Sequence, residues 1–247
     1  MELKEFFREN PRAALAFSGG VDSAYLLAAG LRSGANVRPY FIQTPFQPAF
    51  ERSDARRLCR ELGAELTVLE LDVLSCPGVA ENGPDRCYRC KRALFTALRE
   101  RSAADGYDLL LDGSNADDDP ADRPGMRALL ELGVRSPLRE CGLAKAEIRR
   151  RSRELGLFTW DKPSYACLAT RVPTGRAITP ELLEKAEGAE QALFDLGFTD
   201  FRVRLYYDAA RIQLPEGQLG KALEQKNEIL QRLKPWFEAV LLDLETR

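Results

Sequence analysis

Ser18-Gly19-Gly20-Val21-Asp22-Ser23 stands between two apolar runs, Ala13-Ala14-Leu15-Ala16-Phe17 before it and Ala24-Tyr25-Leu26-Leu27-Ala28-Ala29 after it. The first run has the length of a buried strand, and the second continues as a helix over 22–33. A strand that passes through two glycines into a helix N-terminus is an anion site. Gly19 and Gly20 let the backbone curl so that successive N–H groups converge on one set of oxygens. The helix dipole adds partial positive charge at the same point. The loop lacks the Gly-Lys-Ser/Thr of a Walker motif, so it is not built as a γ-phosphate cradle.

The first 160 residues repeat this alternation. Strands are expected at 13–17, 37–42, 65–70 and 108–112, and helices at 22–33, 47–62, 90–104 and 144–155. Short apolar strands alternating with helices predict an α/β fold, a parallel sheet with helices on both faces. Gly34, Gly63, Gly106 and Gly156 sit where helices should stop. In such sheets ligands bind beyond the carboxyl ends of the strands. The loops after Phe17, Ile42, Leu71 and Leu111 are therefore expected to face one site.

After Trp160 the composition changes. Residues 161–178, with turns at Pro163, Pro173 and Gly175, read as an ordered linker loop. The rest predicts a smaller α/β domain over 179–247: helix 179–196, strands 200–206 and 210–214, helix 218–233 and strand 237–243. Val203, Leu205 and Tyr207 alternate with Arg202, Arg204 and Tyr206, which gives that strand two unlike faces.

The 247-residue chain carries 36 Lys and Arg against 38 Asp and Glu, a net charge of −2. The basic excess usual in nucleic-acid enzymes is missing, which argues against such a partner. No apolar run is long enough to span a membrane. The opening Met-Glu-Leu-Lys-Glu-Phe-Phe does not read as a signal peptide, so a cytoplasmic protein with reduced thiols is expected. The histidine count of 0 excludes histidine ligands and bases, and leaves metal chemistry to Cys and carboxylates.

Cys87-Tyr88-Arg89-Cys90-Lys91 opens a helix. Two thiols spaced this way on one helical face can grip a metal ion or cluster, form a redox pair, or be structural, and the spacing alone does not choose. The helix N-terminus with Arg89, Lys91 and Arg92 favours thiolate. Cys167, in Pro163-Ser164-Tyr165-Ala166-Cys167-Leu168-Ala169-Thr170-Arg171, adds a third thiol on the linker. Three cysteines suit an iron–sulfur cluster with one open iron, or zinc with an open position; Cys167 acting by itself would be a nucleophile or sulfur donor. Cys59 reads as a core residue, and Cys76 and Cys141 as structural.

Asp112-Gly113-Ser114-Asn115-Ala116-Asp117-Asp118-Asp119 follows the fourth strand and suits either Mg²⁺ contacts or plain solvation. Lys145, at a helix start, could reach a phosphate or simply be exposed. Arg202 and Arg204, with Glu190 on the preceding helix, form either an anion clamp or a solvated sheet face.

Together these segments resemble the LarE family, ATP-dependent sulfur transferases of the PP-loop superfamily. The likeness runs over nearly the whole chain, through Ser18–Ser23, Asp112-Gly113, Arg123-Pro124-Gly125, Lys145 and Arg149, Pro163 to Arg171, Arg202-Val203-Arg204 and Ala210-Arg211-Ile212. It implies adenylylation of a carboxylate of pyridinium-3,5-biscarboxylic acid mononucleotide and replacement of its oxygen by sulfur, in the making of the nickel-pincer nucleotide. By that resemblance, Ser18, Gly19, Gly20, Asp22, Ser23 and Lys145 bind ATP and its pyrophosphate, and Asp22 holds Mg²⁺. Glu190, Arg202 and Arg204 hold the substrate phosphate, and Lys91 and Asp118 line the site. Cys87, Cys90 and Cys167 match the branch that carries a 4Fe–4S cluster; in another branch the cysteine at the place of Cys167 is consumed as sulfur donor. Lys221 stands where the family has an acidic residue, and takes no role. A homo-oligomer is implied. The rival readings are a tRNA thiolase of the same superfamily, an ATP-binding redox or iron sensor that is not an enzyme, and an ammonia-using synthetase, which leaves the cysteines unexplained.

Overall fold

The structure is a computed structural model that describes residues 2–118 and 124–247. It divides into two compact units, Met1–Pro77 with Asp85–Lys162, and Gly78–Pro84 with Pro163–Arg247.

The first unit runs α1 (Leu3–Glu9), β1 (Arg12–Ala16), α2 (Val21–Arg32), β2 (Asn36–Gln43), α3 (Ala49–Leu62), β3 (Thr67–Glu70), α4 (Arg86–Ala104), β4 (Leu110–Leu111), α5 (Pro124–Glu131), α6 (Pro137–Glu140) and α7 (Lys145–Glu154). Its sheet has the order β3-β2-β1-β4, with every pair parallel. Alternate strand residues feed opposite faces. Ala13, Leu15, Val37 and Phe41 join a core with α1, α2, α3, α6 and α7. Ala14 and Tyr40 join another with Phe95 and Leu98 of α4 and Met126 and Leu129 of α5. The sheet is thus covered by helices on both sides, the expected α/β arrangement. The chain moves outward from β1 to β2 and β3, then returns to place β4 on the other side of β1. Such a reversal opens a crevice at the carboxyl ends of the two strands on either side of it, β1 and β4. The loops after β1 and β4 meet there.

Most expected elements form within a few residues of their expected limits, and the four stop glycines all take positive φ. The differences are local. The helix expected at 90–104 starts at Arg86, which puts Cys87 and Cys90 inside its first turns. The strand expected over 108–112 pairs only through Leu110 and Leu111, because the residues after it turn toward the crevice. Helices α1, α5 and α6 were not anticipated; α1 buries Leu3, Phe6 and Phe7 on one side, a pattern too short to stand out from seven residues of sequence.

The second unit holds α8 (Pro180–Asp195), β5 (Arg202–Tyr206), β6 (Ala209–Gln213), α9 (Leu219–Glu224), α10 (Lys226–Leu233) and β7 (Ala239–Leu242). Strands β5 and β6 pair antiparallel, and β6 and β7 parallel. Phe198, Phe201, Val203, Leu205, Ala210 and Ile212 are among its buried residues. Tyr207 is not a strand residue; it takes φ +53° in the two-residue turn between β5 and β6. The helix expected over 218–233 breaks at Gln225 (φ −95°, ψ 19°) into α9 and α10. Gly78–Pro84 belongs to this unit because buried Asn82 donates to Pro173 O at 2.8 Å and Arg176 O at 3.0 Å, while Ile178 N donates to Ala80 O at 2.7 Å. The 163–178 stretch also clusters here, with a 3-10 turn over Leu168–Arg171. Among the described residues no helix is long and apolar enough to cross a membrane.

Candidate active site

In the first unit the loop from β1 to α2 is fixed by its own side chains. Gly19 takes φ +71°, and a Cβ there would lie 3.3 Å from the backbone N of Ala55, so both conformation and space call for glycine. Ser18 Oγ accepts from Gly20 N at 3.3 Å and lies 3.1 Å from Ser23 Oγ, which donates to Gly20 O at 3.2 Å. Gly20 is the N-cap of α2 and no side chain caps the helix. The donors of its first turn are thus not claimed by a capping side chain, the usual state of an anion-binding helix end. Gly113, in the loop after β4, packs against this turn: a Cβ on it would lie 3.1 Å from Ser23 N.

Asp22 is the charged centre of the crevice. One carboxylate oxygen pairs with Lys145 Nζ, and the other accepts from Asn115 Nδ2 at 3.2 Å. Lys145, the first residue of α7, therefore meets a carboxylate across the crevice and is not an isolated cation. The acidic loop serves the fold more than the sequence suggests. Asp117 accepts from Lys145 N at 2.7 Å and so caps α7. Asp118 accepts from Asn115 N at 3.0 Å, and Asp112 accepts from the hydroxyls of Ser114 and Ser136. Asp119 and Arg123 lie outside the described residues. Arg149 ties down the end of the unit through Trp160 O at 2.7 Å and Lys162 O at 2.8 Å.

Cys87 and Cys90 lie one turn apart on α4, Cys87 exposed and Cys90 half-buried. Lys91 follows, its stem packed over Gly125, where a Cβ would lie 2.6 Å from Lys91 Cδ. None of the six cysteines is in a disulfide. Cys59 is 2% exposed in the core and burial pushes its thiol up to about 12. Arg86, only 9% exposed, donates from Nη2 to Cys87 Sγ at 3.4 Å. Among the described residues its buried Nη1 has no partner.

The second unit contains a buried ionic network that sequence reading only half found. Glu190, 1% exposed, accepts from Arg171 Nε at 2.6 Å, from Arg171 Nη2 at 3.0 Å, from Val203 N at 2.9 Å, and from the Tyr165 hydroxyl. Arg171 also donates to Ala166 O at 3.1 Å and Thr170 Oγ1 at 2.7 Å. Arg202 donates to Phe201 O at 2.6 Å and to Ser164 O, and Arg204 to Thr170 O at 2.9 Å and Gln213 Oε1 at 2.6 Å. The three arginines thus grip the loop that carries Cys167, whose carbonyl accepts from Thr170 N at 3.0 Å. Burial lowers the Arg202 guanidinium to about 10, helped by the charge of Arg171; Arg204 is lowered for the same two reasons. Burial, then the Glu190 charge, raises Tyr165. Burial opposes the charge on Arg171, yet its bonds to Glu190 win and its affinity for the proton rises.

Arg171 pairs with Glu190 and Arg202 lies 4.0 Å from Asp200, while the guanidinium charges of Arg171, Arg202 and Arg204 oppose one another, a disposition suited to an anion. Arg202 and Arg204 thus have structural partners of their own, and Glu190 is too buried to meet a ligand broadly. Arg171 and Tyr165 were the residues that sequence reading missed. The available signal was their place in the same Pro163–Arg171 segment as Cys167.

Cys87 and Cys90 belong to the first unit and Cys167 to the second. Among the described residues neither unit by itself gathers three Cys, Asp or Glu side chains positioned to hold a metal ion. Within the first unit the soft sulfur donors near α4's start are the two thiols of Cys87 and Cys90, one helical turn apart.

No protein-family model matches the chain. It is 36% identical to an uncharacterized protein of Synechocystis sp., over 98% of this chain and 92% of that protein. It is 34% identical to the pyridinium-3,5-bisthiocarboxylic acid mononucleotide synthase of Lactiplantibacillus plantarum, over 94% of this chain and 86% of that protein. The tRNA-specific 2-thiouridylase MnmA of Frankia alni is more distant, 28% identical over 62% of this chain and 53% of that protein. Likeness across nearly the full length of the synthase, on a parallel sheet whose switch point carries the Ser18–Ser23 loop, makes this chain a member of the LarE family of ATP-dependent sulfur transferases in the PP-loop superfamily.

Proposed function

We propose that the enzyme adenylylates a carboxylate of pyridinium-3,5-biscarboxylic acid mononucleotide and replaces its oxygen with sulfur, a step in nickel-pincer nucleotide synthesis. The observation that carries this reading is the full-length likeness to the pyridinium-3,5-bisthiocarboxylic acid mononucleotide synthase, joined to two separate anion-suited sites in one chain. The chemistry explains the need for ATP. A carboxylate is a poor electrophile because it is anionic and its oxygen leaves badly. Adenylylation removes the charge and supplies AMP as leaving group, after which sulfur can attack the acyl carbon.

In this proposal the first turn of α2, with Ser18, Gly19, Gly20 and Ser23, receives the phosphates of ATP and steadies the departing pyrophosphate. Asp22 holds Mg²⁺, and Lys145, released from Asp22 as nucleotide and metal enter, turns to a phosphate oxygen. Lys91 and Asp118 line the site. Arg202 and Arg204 face the phosphate of the mononucleotide, and Glu190 holds Arg171 and, through Val203 N, strand β5 in place.

The cluster ligands proposed are Cys87, Cys90 and Cys167, the last on the loop gripped by Arg171 and Arg204. A 4Fe–4S cluster, when bound, supplies sulfide as the nucleophile. Cytoplasmic location and a homo-oligomeric state belong to the same proposal.

The test is pyrophosphate release from ATP by anaerobically purified enzyme. Release should require the pyridinium dicarboxylate nucleotide, and indifference to it would remove the substrate assignment. The tRNA thiolase reading draws on the partial likeness to MnmA proteins. Tight, salt-sensitive binding of tRNA would favour it. An Asp22→Ala variant that keeps all function would favour the sensor.

A further inference from the structure

Asn115 has no task in the reaction proposed above, yet it joins three pieces of the crevice. It lies in the loop after β4 and is 4% exposed. A buried amide side chain needs its donors and its acceptor matched, and here the partners differ in kind. Its Oδ1 accepts from Asp117 N at 2.9 Å, and its Nδ2 donates to Asp22 Oδ1 at 3.2 Å. A backbone N–H can only donate, so Oδ1 is fixed on Asp117 and the amide hydrogens are turned to the carboxylate. Its own backbone N donates to Asp118 Oδ2 at 3.0 Å. Asp117 in turn accepts from Lys145 N at 2.7 Å, at the start of α7. Asn115 thus holds Asp22 directly, and the backbone of Lys145 through one intermediary.

The two oxygens of Asp22 therefore have unlike partners. Oδ2 pairs with Lys145 Nζ, a compact charge on a flexible stem that can turn to another anion. Oδ1 is bonded to a neutral amide whose other end is tied to the loop backbone. A carboxylate in place of that amide would repel Asp22, and an ammonium would compete with an incoming cation. Mg²⁺ is a hard cation that keeps several waters and takes one or two carboxylates beside phosphate oxygens, so a single free oxygen of Asp22 suits it.

We propose that Asn115 is a positioning residue for Asp22: it occupies Oδ1, so that Oδ2 alone is offered to the cation that replaces Lys145. The carboxylate then binds metal through one oxygen and keeps its orientation when the ion pair opens. This inference rests on the reading of Asp22 as the Mg²⁺ ligand. Removing the amide frees Asp22 to rotate, and the metal must then order a side chain that the wild type presents already ordered.

The experiment measures Mn²⁺ binding, by electron paramagnetic resonance of the free ion, in the presence of α,β-methylene ATP, which cannot be cleaved between the α and β phosphates. It compares wild type with Asn115→Leu, which keeps the size and loses the amide, Asp117→Ala, which removes the α7 cap and leaves the amide on Asp22, and Asp22→Ala. Asn115→Leu should weaken Mn²⁺ binding about tenfold, the factor one hydrogen bond to a charged group supplies. Asp117→Ala should stay near wild type, and Asp22→Ala should lose the most. Wild-type Mn²⁺ affinity in Asp22→Ala removes the metal-ligand reading, and the inference with it. A loss in Asp22→Ala with none in Asn115→Leu overturns the inference alone. Equal losses in Asn115→Leu and Asp117→Ala assign the effect to the fold of the loop and also overturn it. If Asn115→Leu does not fold, a crystal structure of wild type with Mn²⁺ and the analogue decides. One Asp22 oxygen on the metal and the other on Asn115 Nδ2 is the expected result; both oxygens on the metal, or Asn115 turned away, overturns it.

Discussion

The two anion-suited regions are built on opposite principles. The crevice of the first unit uses backbone donors at the start of α2 and one partly exposed ion pair, Asp22 with Lys145, at 20% and 29% side-chain exposure. The network of the second unit uses buried side chains, with Arg171 and Glu190 at 0% and 1%. A pair that water reaches contributes little to stability and opens at little cost, which is what a site needs when its own ions must change partners on each turnover. A pair removed from water has lost its solvation and depends on its partner. It fixes a shape and does not exchange. The ions of the first region are thus held loosely, and the second region is a frame that grips a cysteine loop.

Three substitutions probe that contrast. Glu190→Gln should have the largest effect. It leaves Arg171 buried without a counter-charge, while Arg202 and Arg204 still crowd it, and should cost about 3–5 kcal/mol in denaturant unfolding. A loss near zero would mean that water reaches the network. Asp22→Asn should do the reverse, with unfolding free energy within ~1 kcal/mol of wild type and pyrophosphate release down about 100-fold. A large loss of stability would place Asp22 among structural groups and break the comparison. The smallest effect belongs to Cys59, a residue of the first unit's core. Its thiol is at about 12 in the folded chain against 9.0 for the free group, raised by burial. A raised pKa contributes stability that is whole below about 9 and is lost as pH rises toward 12. Cys59→Ala should therefore flatten the decline of stability between pH 8 and 10, by about 1 kcal/mol at pH 10. Run on both backgrounds, Glu190→Gln and Cys59→Ala report separately on the two units. Additive effects would mean that the two sites are not energetically coupled.

Much of the frame was legible along the chain. The strands of the first unit declare themselves because their centres are apolar and buried on both faces, Ala13-Ala14-Leu15 in β1 and Tyr40-Phe41 in β2. Their helices end at glycines whose positive φ is a local demand. The Ser18–Ser23 loop was legible for the same reason, since its conformation depends on its own glycines and serines. What escaped were features without local cause: the break of the last helix at Gln225, the transfer of Gly78–Pro84 to the second unit through Asn82, and the early start of α4 at Arg86.

The site divides along the same line. Residue types and spacing named Asp22, Lys145, Cys87, Cys90, Cys167, Glu190, Arg202 and Arg204. They did not show that Lys145 faces Asp22 from 123 positions away, that Asp117 caps α7, or that Arg171 is the partner of Glu190. By itself the sequence determined the alternation of strand and helix, the curled glycine loop and the paired thiols, because each is set by neighbours within a turn or two. Only the tertiary structure decided which charges meet, which carboxylates serve the fold, and that Arg86 holds a buried nitrogen beside Cys87. Ion pairing and burial depend on distances across the folded chain, which no spacing along it encodes.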